Sequence, residues 1–148
     1  MDFSAINWLA VVTAAVAFFA LGAIWYGPVF GKLWQKGAGL SDDDIKNSNM
    51  GKTFGAAFVF ALLISVGMGL FFFGFPAEPG CEAEMDGGMG AMYGLMTGIF
   101  FLFPSIGMNY TFAKKPISYI LIDAGYHIVA YTIVGTILGA WQYGVTLS

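Results

Sequence analysis

KKPISYILIDAGYHIVAYTIVGTILGAW, residues Lys114–Trp141, decides the fold. From Ile117 onward the stretch is long and apolar enough to span a bilayer, which takes roughly 20 mostly apolar residues. It nevertheless carries Asp123 and His127, the one histidine of the chain. A charged aspartate at the centre of a span costs on the order of 2.5–3.5 kcal/mol even on insertion scales. The two residues are spaced i, i+4, so a helix puts them on one face, a turn apart. Tyr119 and Tyr131 continue that face, and Tyr126 lies beside it. The stripe is expected to face the interior of a helix bundle, where polar side chains of other spans meet it.

Composition agrees with a membrane chain. Of the 148 residues, 58% are hydrophobic and 10% are charged, against about a quarter charged in soluble proteins. The net charge of −3 and the lack of arginine argue against a nucleic-acid partner and against a bidentate phosphate clamp. The single cysteine, Cys81, has no intramolecular disulfide partner.

Hydropathy predicts four spans, about 6–26, 53–75, 89–112 and 117–140, in one transmembrane domain. Asp2 precedes the first apolar run and no basic residue does, so that run is read as a retained span rather than a signal peptide. Trp8 opens it, and Trp25 and Tyr26 close it, as residues of interfacial aromatic belts do. Gly27-Pro28 is expected to break the helix there. Pro104 predicts a kink in the third span. Gly90, Gly94 and Gly98 recur every four residues, as do Gly135 and Gly139. Such small-residue strips let helices approach closely in lipid, within a chain or between chains. A homo-oligomer or a membrane-complex partner is therefore expected alongside the lipid bilayer.

The connections carry the remaining signals. Phe30, Leu33 and Trp34 at i, i+3, i+4, flanked by Lys32 and Lys36, predict a short amphipathic helix in the headgroup layer, ended by Gly37 and Gly39. Ser41 with Asp44 three residues on has the form of a capping box, with Leu40 and Ile45 at the staple positions. The helix so begun is expected to run on into the second span. The outer loop 76–88 carries Glu78, Glu82, Glu84 and Asp86 at spacings unlike a calcium-binding loop, and is read as solvated. All six lysines fall in the first and third connections, which four spans place on one side. The positive-inside rule makes that side cytoplasmic and puts both termini outside.

A short similarity links the ends of spans one and three. Ile24-Trp25-Tyr26-Gly27-Pro28-Val29-Phe30-Gly31-Lys32 matches Met108-Asn109-Tyr110-Thr111-Phe112-Ala113-Lys114, the pattern of a parallel repeat. Helix rise places Asp123 roughly 9 Å and His127 roughly 15 Å into the span. Counted back from Phe112, Ser105 and Asn109 share a face and bracket the depth of Asp123. The candidate site is therefore Asp123, His127, Tyr126, Tyr119, Asn109, Ser105, Trp25 and Tyr26. One histidine and one acid fall short of a catalytic zinc site, and no cofactor is expected. No nucleophile elbow or phosphate-cradling glycine loop occurs, so an enzyme is the least supported class.

GAIWYGPVFGKLW after the first span, LSDDDIK and NMGK before the second, and LIDAGYHIV with GTILGAW in the fourth resemble a bacterial family catalogued as domain of unknown function 1761. The resemblance implies a small four-span protein of a bacterial inner membrane and carries no activity. It directs attention to Trp25, Tyr26, Pro28, Asp123, Tyr126 and His127. Two functions remain open. One is small-molecule or proton-coupled transport or binding through the Asp/His cluster. The other is an accessory or scaffold subunit, in which the same polar groups fix helix register.

Overall fold

The computed structural model describes residues 2–75 and 85–142. Cys81 and the acids Glu78, Glu82 and Glu84 lie outside the described residues. The described chain is helical throughout its ordered elements: α1 (Trp8–Ile24), α2 (Gly31–Ala38), α3 (Asp42–Asn47), α4 (Met50–Phe73), α5 (Gly87–Thr97), α6 (Phe103–Phe112) and α7 (Ile117–Gln142). Four continuous stretches are long and apolar enough to cross a membrane: Trp8–Val29, Met50–Phe73, Gly87–Phe112 and Ile117–Trp141. They reproduce the predicted spans to within three residues at each end.

The fourth span is the hub. Of its most apolar window 44% is buried, against 28%, 22% and 17% for the other three. α1 packs on one side of α7 and the α5–α6 span on another, while α4 lies against α1. The shared core of α1, α4 and α7 is built from small side chains, among them Ala10, Ala14, Ala15, Ala61 and Ala130. Small residues suit a medium where dispersion contacts, not water exclusion, hold helices together. Ser65 of α4 is buried in that core, and its hydroxyl has no partner among the described residues.

The glycine strips pair within the chain. A Cβ on Gly90 would lie 2.0 Å from the Gly135 carbonyl oxygen, and one on Gly94 would lie 2.1 Å from that of Tyr131. One on Gly139 would lie 2.3 Å from the Asp86 carbonyl. α5 and α7 therefore touch backbone to backbone. These faces are used up internally, so they give no support to the expected oligomer.

Both prolines in the spans are absorbed by wide turns. The expected break at Gly27-Pro28 is present: α1 ends at Ile24, and residues Trp25–Val29 form a π turn bent at Gly27 (φ −97°, ψ −105°). The Phe30 amide reaches back five residues to the Trp25 carbonyl, 2.9 Å away. The lost proline donor is thus bypassed rather than left as a gap. A second π turn, Gly98–Leu102, precedes Pro104, which sits at the start of α6.

The amphipathic α2 ends as predicted, with Gly39 at φ +79°, a left-handed conformation that glycine adopts without a Cβ penalty. The capping box is present: the Ser41 amide donates to Asp44 Oδ2 at 2.8 Å, and the Asp44 amide to Ser41 Oγ at 3.1 Å. The predicted run-on into the second span does not occur. α3 stops at Asn47, and Asn49 caps a new helix by accepting from the Lys52 amide at 3.0 Å. An asparagine side chain competes well for the free amides of a helix start, and here it begins α4 afresh.

Candidate site around Asp123

Asp123 lies on α7 about two turns from its start and is 6% exposed. Both carboxylate oxygens are engaged. The Tyr26 hydroxyl donates to Oδ1 at 2.9 Å, and the Tyr110 hydroxyl donates to Oδ2 at 2.8 Å. Tyr26 comes from the π turn that interrupts the first span. Tyr110 comes from α6, the half of the third span that follows the second π turn. One acid therefore ties two interrupted helices to the central one, and both donors are neutral phenols.

Main-chain bonds brace the same corner. Trp25 Nε1–H donates to the Ile122 carbonyl at 3.0 Å, and the Tyr126 hydroxyl donates to the Phe18 carbonyl at 3.0 Å. Glycines make room for both rings. Gly125 lies under Trp25, and a Cβ on Gly22 would approach the Tyr126 hydroxyl to 3.1 Å. Trp25 and Tyr26, expected both as interfacial belt residues and as members of the polar site, bond here to the Ile122 carbonyl and to Asp123.

Asp123 and His127 share a face but do not pair through their side chains. His127 Nδ1 lies 2.8 Å from the Asp123 carbonyl oxygen, the i−4 main-chain acceptor. A carbonyl only accepts, so Nδ1 carries the proton and Nε2 keeps its lone pair in the neutral ring. The imidazole is half-buried among Phe18, Tyr126 and Tyr131. Tyr119 is buried, and its ring stacks beside Trp34 and Tyr110.

Ser105 and Asn109 are exposed, and no bond joins either side chain to Asp123. Tyr110 takes the place assigned to them. The reason is the π turn. Gly98 faces α7, and three regular turns, about eleven residues at 3.6 per turn, would bring Asn109 onto the same face. The extra residue of the Gly98–Leu102 π turn advances that register by one and delivers Tyr110 instead. The repeat match contained the signal, because it aligns Tyr110 with Tyr26.

The end of the site nearest the lysines is closed by α2. The Lys115 ammonium donates to the Ala38 carbonyl at 2.9 Å, capping the C-terminal end of α2 where the helix dipole is negative. Lys114, at φ 54°, turns the chain so that Lys115 reaches that carbonyl. This bond also shows that the two lysine-bearing connections lie at the same end of the molecule. At the opposite end Asn7 lies 3.5 Å from the Trp141 carbonyl, and the Asp2 amide donates to the Gly74 carbonyl at 2.8 Å.

No three histidine, cysteine or acidic side chains converge among the described residues. Around Asp123 the described residues set one carboxylate in an aromatic surrounding. Comparison with curated proteins and with solved structures finds no match. A family model, described as protein of unknown function (DUF1761), matches residues 9–139, and the chain belongs to that family.

Proposed function

We propose that this protein is a proton-coupled transport or binding protein of a bacterial inner membrane, with Asp123 as the group that takes up the proton. The observation that carries the reading is the pair of tyrosine hydroxyls on one buried carboxylate, donated from two interrupted helices. Ionisable groups at span depth are costly to keep and favour a functional role. Ionised Asp123 accepts both hydroxyls. Protonated, it becomes one donor and a weaker acceptor, so one tyrosine must turn or leave. Proton uptake then loosens the tie between α7 and the π-turn segments. Half-helices that meet near a polar group are the moving parts of many carriers.

The sidedness follows from the lysines. With the first and third connections in the cytoplasm, α2 and Lys115 face the cytoplasm and both termini face outward.

Infrared spectroscopy on the purified protein in lipid tests the reading. A protonated-carboxyl band that appears on acidification and is missing in Asp123→Asn is expected. A wild-type spectrum without any band dependent on Asp123 across the accessible pH range overturns it.

A second reading is an accessory subunit. It is favoured by the outer face of α4, where Gly55 and Gly67 have nothing within 4 Å of a built Cβ. A neighbouring helix can approach closely at such positions. Co-purification of a stoichiometric partner in mild detergent supports it, and isolation of the chain alone counts against it.

A further inference from the structure

Four aromatic side chains near Asp123 form a closed circuit. Tyr26 and Trp34 lie 5.5 Å apart between ring centroids, Trp34 and Tyr119 lie 6.0 Å apart and stacked, and Tyr119 and Tyr110 lie 5.0 Å apart. The two ends of this series are the hydroxyls that bind the two oxygens of Asp123. The members come from four elements: the first π turn, α2, α6 and α7. A cation already rests on the circuit. The Lys115 ammonium lies over the Tyr119 ring, 5.3 Å from its centroid.

We propose that this circuit is a binding site for an organic cation, a quaternary ammonium or a protonated amine. The inference rests on the reading of Asp123 given above and names the ligand class for it. Aromatic faces attract such cations through the ring quadrupole, most strongly when water is excluded. The carboxylate supplies the opposite charge in a low-dielectric setting, where attraction is far larger than in water. Its bonds to Tyr26 and Tyr110 leave that charge uncancelled, because both donors are neutral. An anion meets repulsion from the carboxylate. A hard divalent ion wants six or more oxygens, whereas one carboxylate and phenols are present here.

The site is shut in this structure, and α2 is the part that shuts it. Trp34 of α2 lies between Tyr26 and Tyr119. Gly37 lets α2 sit that close, because a Cβ there would lie 2.8 Å from the Tyr119 side chain. The helix is bounded by the bend at Gly27 and by Gly39 at φ +79°. Lys115 latches it through the Ala38 carbonyl. Ligand entry lifts α2, and the incoming cation replaces the Lys115 ammonium over Tyr119.

The experiment uses the full chain in lipid nanodiscs, with benzyltrimethylammonium as the probe and neopentylbenzene as its neutral isostere. Calorimetry or tryptophan fluorescence reads binding. Saturable binding of the cation and none of the isostere at equal concentration is expected. Asp123→Asn should weaken it ~10-fold or more by removing the counter-charge. Tyr119→Leu should weaken it about three- to tenfold, whereas Tyr119→Phe keeps the ring face and should retain it. Lys115→Gln should tighten it by removing the resident competitor. Equal binding of both probes, or unchanged affinity in Asp123→Asn, overturns the proposal. If the cation fails to bind while the Asp123-dependent infrared band persists, the ligand class is wrong and the proton reading stands. Loss of both overturns both.

Discussion

His127 donates its Nδ1 proton to the main-chain oxygen of Asp123, 2.8 Å away, and not to the carboxylate one turn below. The imidazole therefore orients the helix face without neutralising the acid. Nitrogen NMR of labelled protein should show the Nδ1–H tautomer of the neutral ring. His127→Ala should leave the Asp123-dependent infrared band in place. A strong shift of that band in His127→Ala would mean that the two side chains do couple directly.

The tyrosine bonds to Asp123 predict a measurable stability pattern. Interhelical hydrogen bonds in membranes average about 0.6 kcal/mol, with a maximum near 1.7. Tyr26→Phe and Tyr110→Phe should each cost about that much, and Asp123→Ala about 1–3 kcal/mol because it removes both. In an Asp123→Ala background, Tyr26→Phe should cost little, since its acceptor is gone. Asp123→Asn should be milder than Asp123→Ala, as the amide still accepts one hydroxyl. Reversible unfolding in mixed micelles gives the numbers, and full additivity of the two deletions would contradict the bond.

How much of this is legible in the sequence depends on which force writes it. The spans are legible because lipid demands about 20 apolar residues, a constraint that acts locally along the chain. The Ser41 cap and the Gly39 stop are legible because they too are local. Tyr26 meets Asp123, and Trp25, Tyr119 and Tyr126 gather around it. Ser105 and Asn109 do not, because a π turn changes the register of everything after it; its marks in the sequence are a nearby proline and the short repeat that aligns Tyr110 with Tyr26. Fate of the glycine strips is also nonlocal: spacing shows that a helix docks there, and tertiary structure alone shows that α7 is that helix.

The α5–α7 contact should tolerate no side chain. A Cβ on Gly90 or Gly135 would lie 2.0–2.1 Å from a backbone oxygen, so the two helices must part to accept alanine. Gly90→Ala and Gly135→Ala should each destabilise by several kcal/mol, ~3 or more, as severe overpacking does. Gly55→Ala and Gly67→Ala, where nothing lies within 4 Å, should be neutral or slightly stabilising through helix propensity. Thermal stability of the four variants in one detergent checks the contrast. Tolerance at Gly90 would mean that α5 and α7 are further apart than described.

The connection between the first two spans should respond to acid before the spans do. Hydrogen bonds from the Ser41 side chain and then its amide hold the exposed Asp44 carboxyl below its usual 3.8. A carboxyl whose folded value is lowered stabilises fully above the unfolded value and loses that contribution as pH falls through the folded one. The capping box of α3 should therefore be intact at neutral pH and come apart as pH falls past 3.8 and through the lowered folded value of Asp44. Amide hydrogen exchange in α3 reports it: protection at Asp44 and Ile45 should fall in that range, and Asp44→Asn should show the low-pH behaviour at pH 7. Exchange in α7 should not change with Asp44→Asn, because α3 is exposed apart from a half-buried Ile45. If α7 loosens together with α3, the connection is coupled to the spans and α3 is part of the mechanism that opens α2.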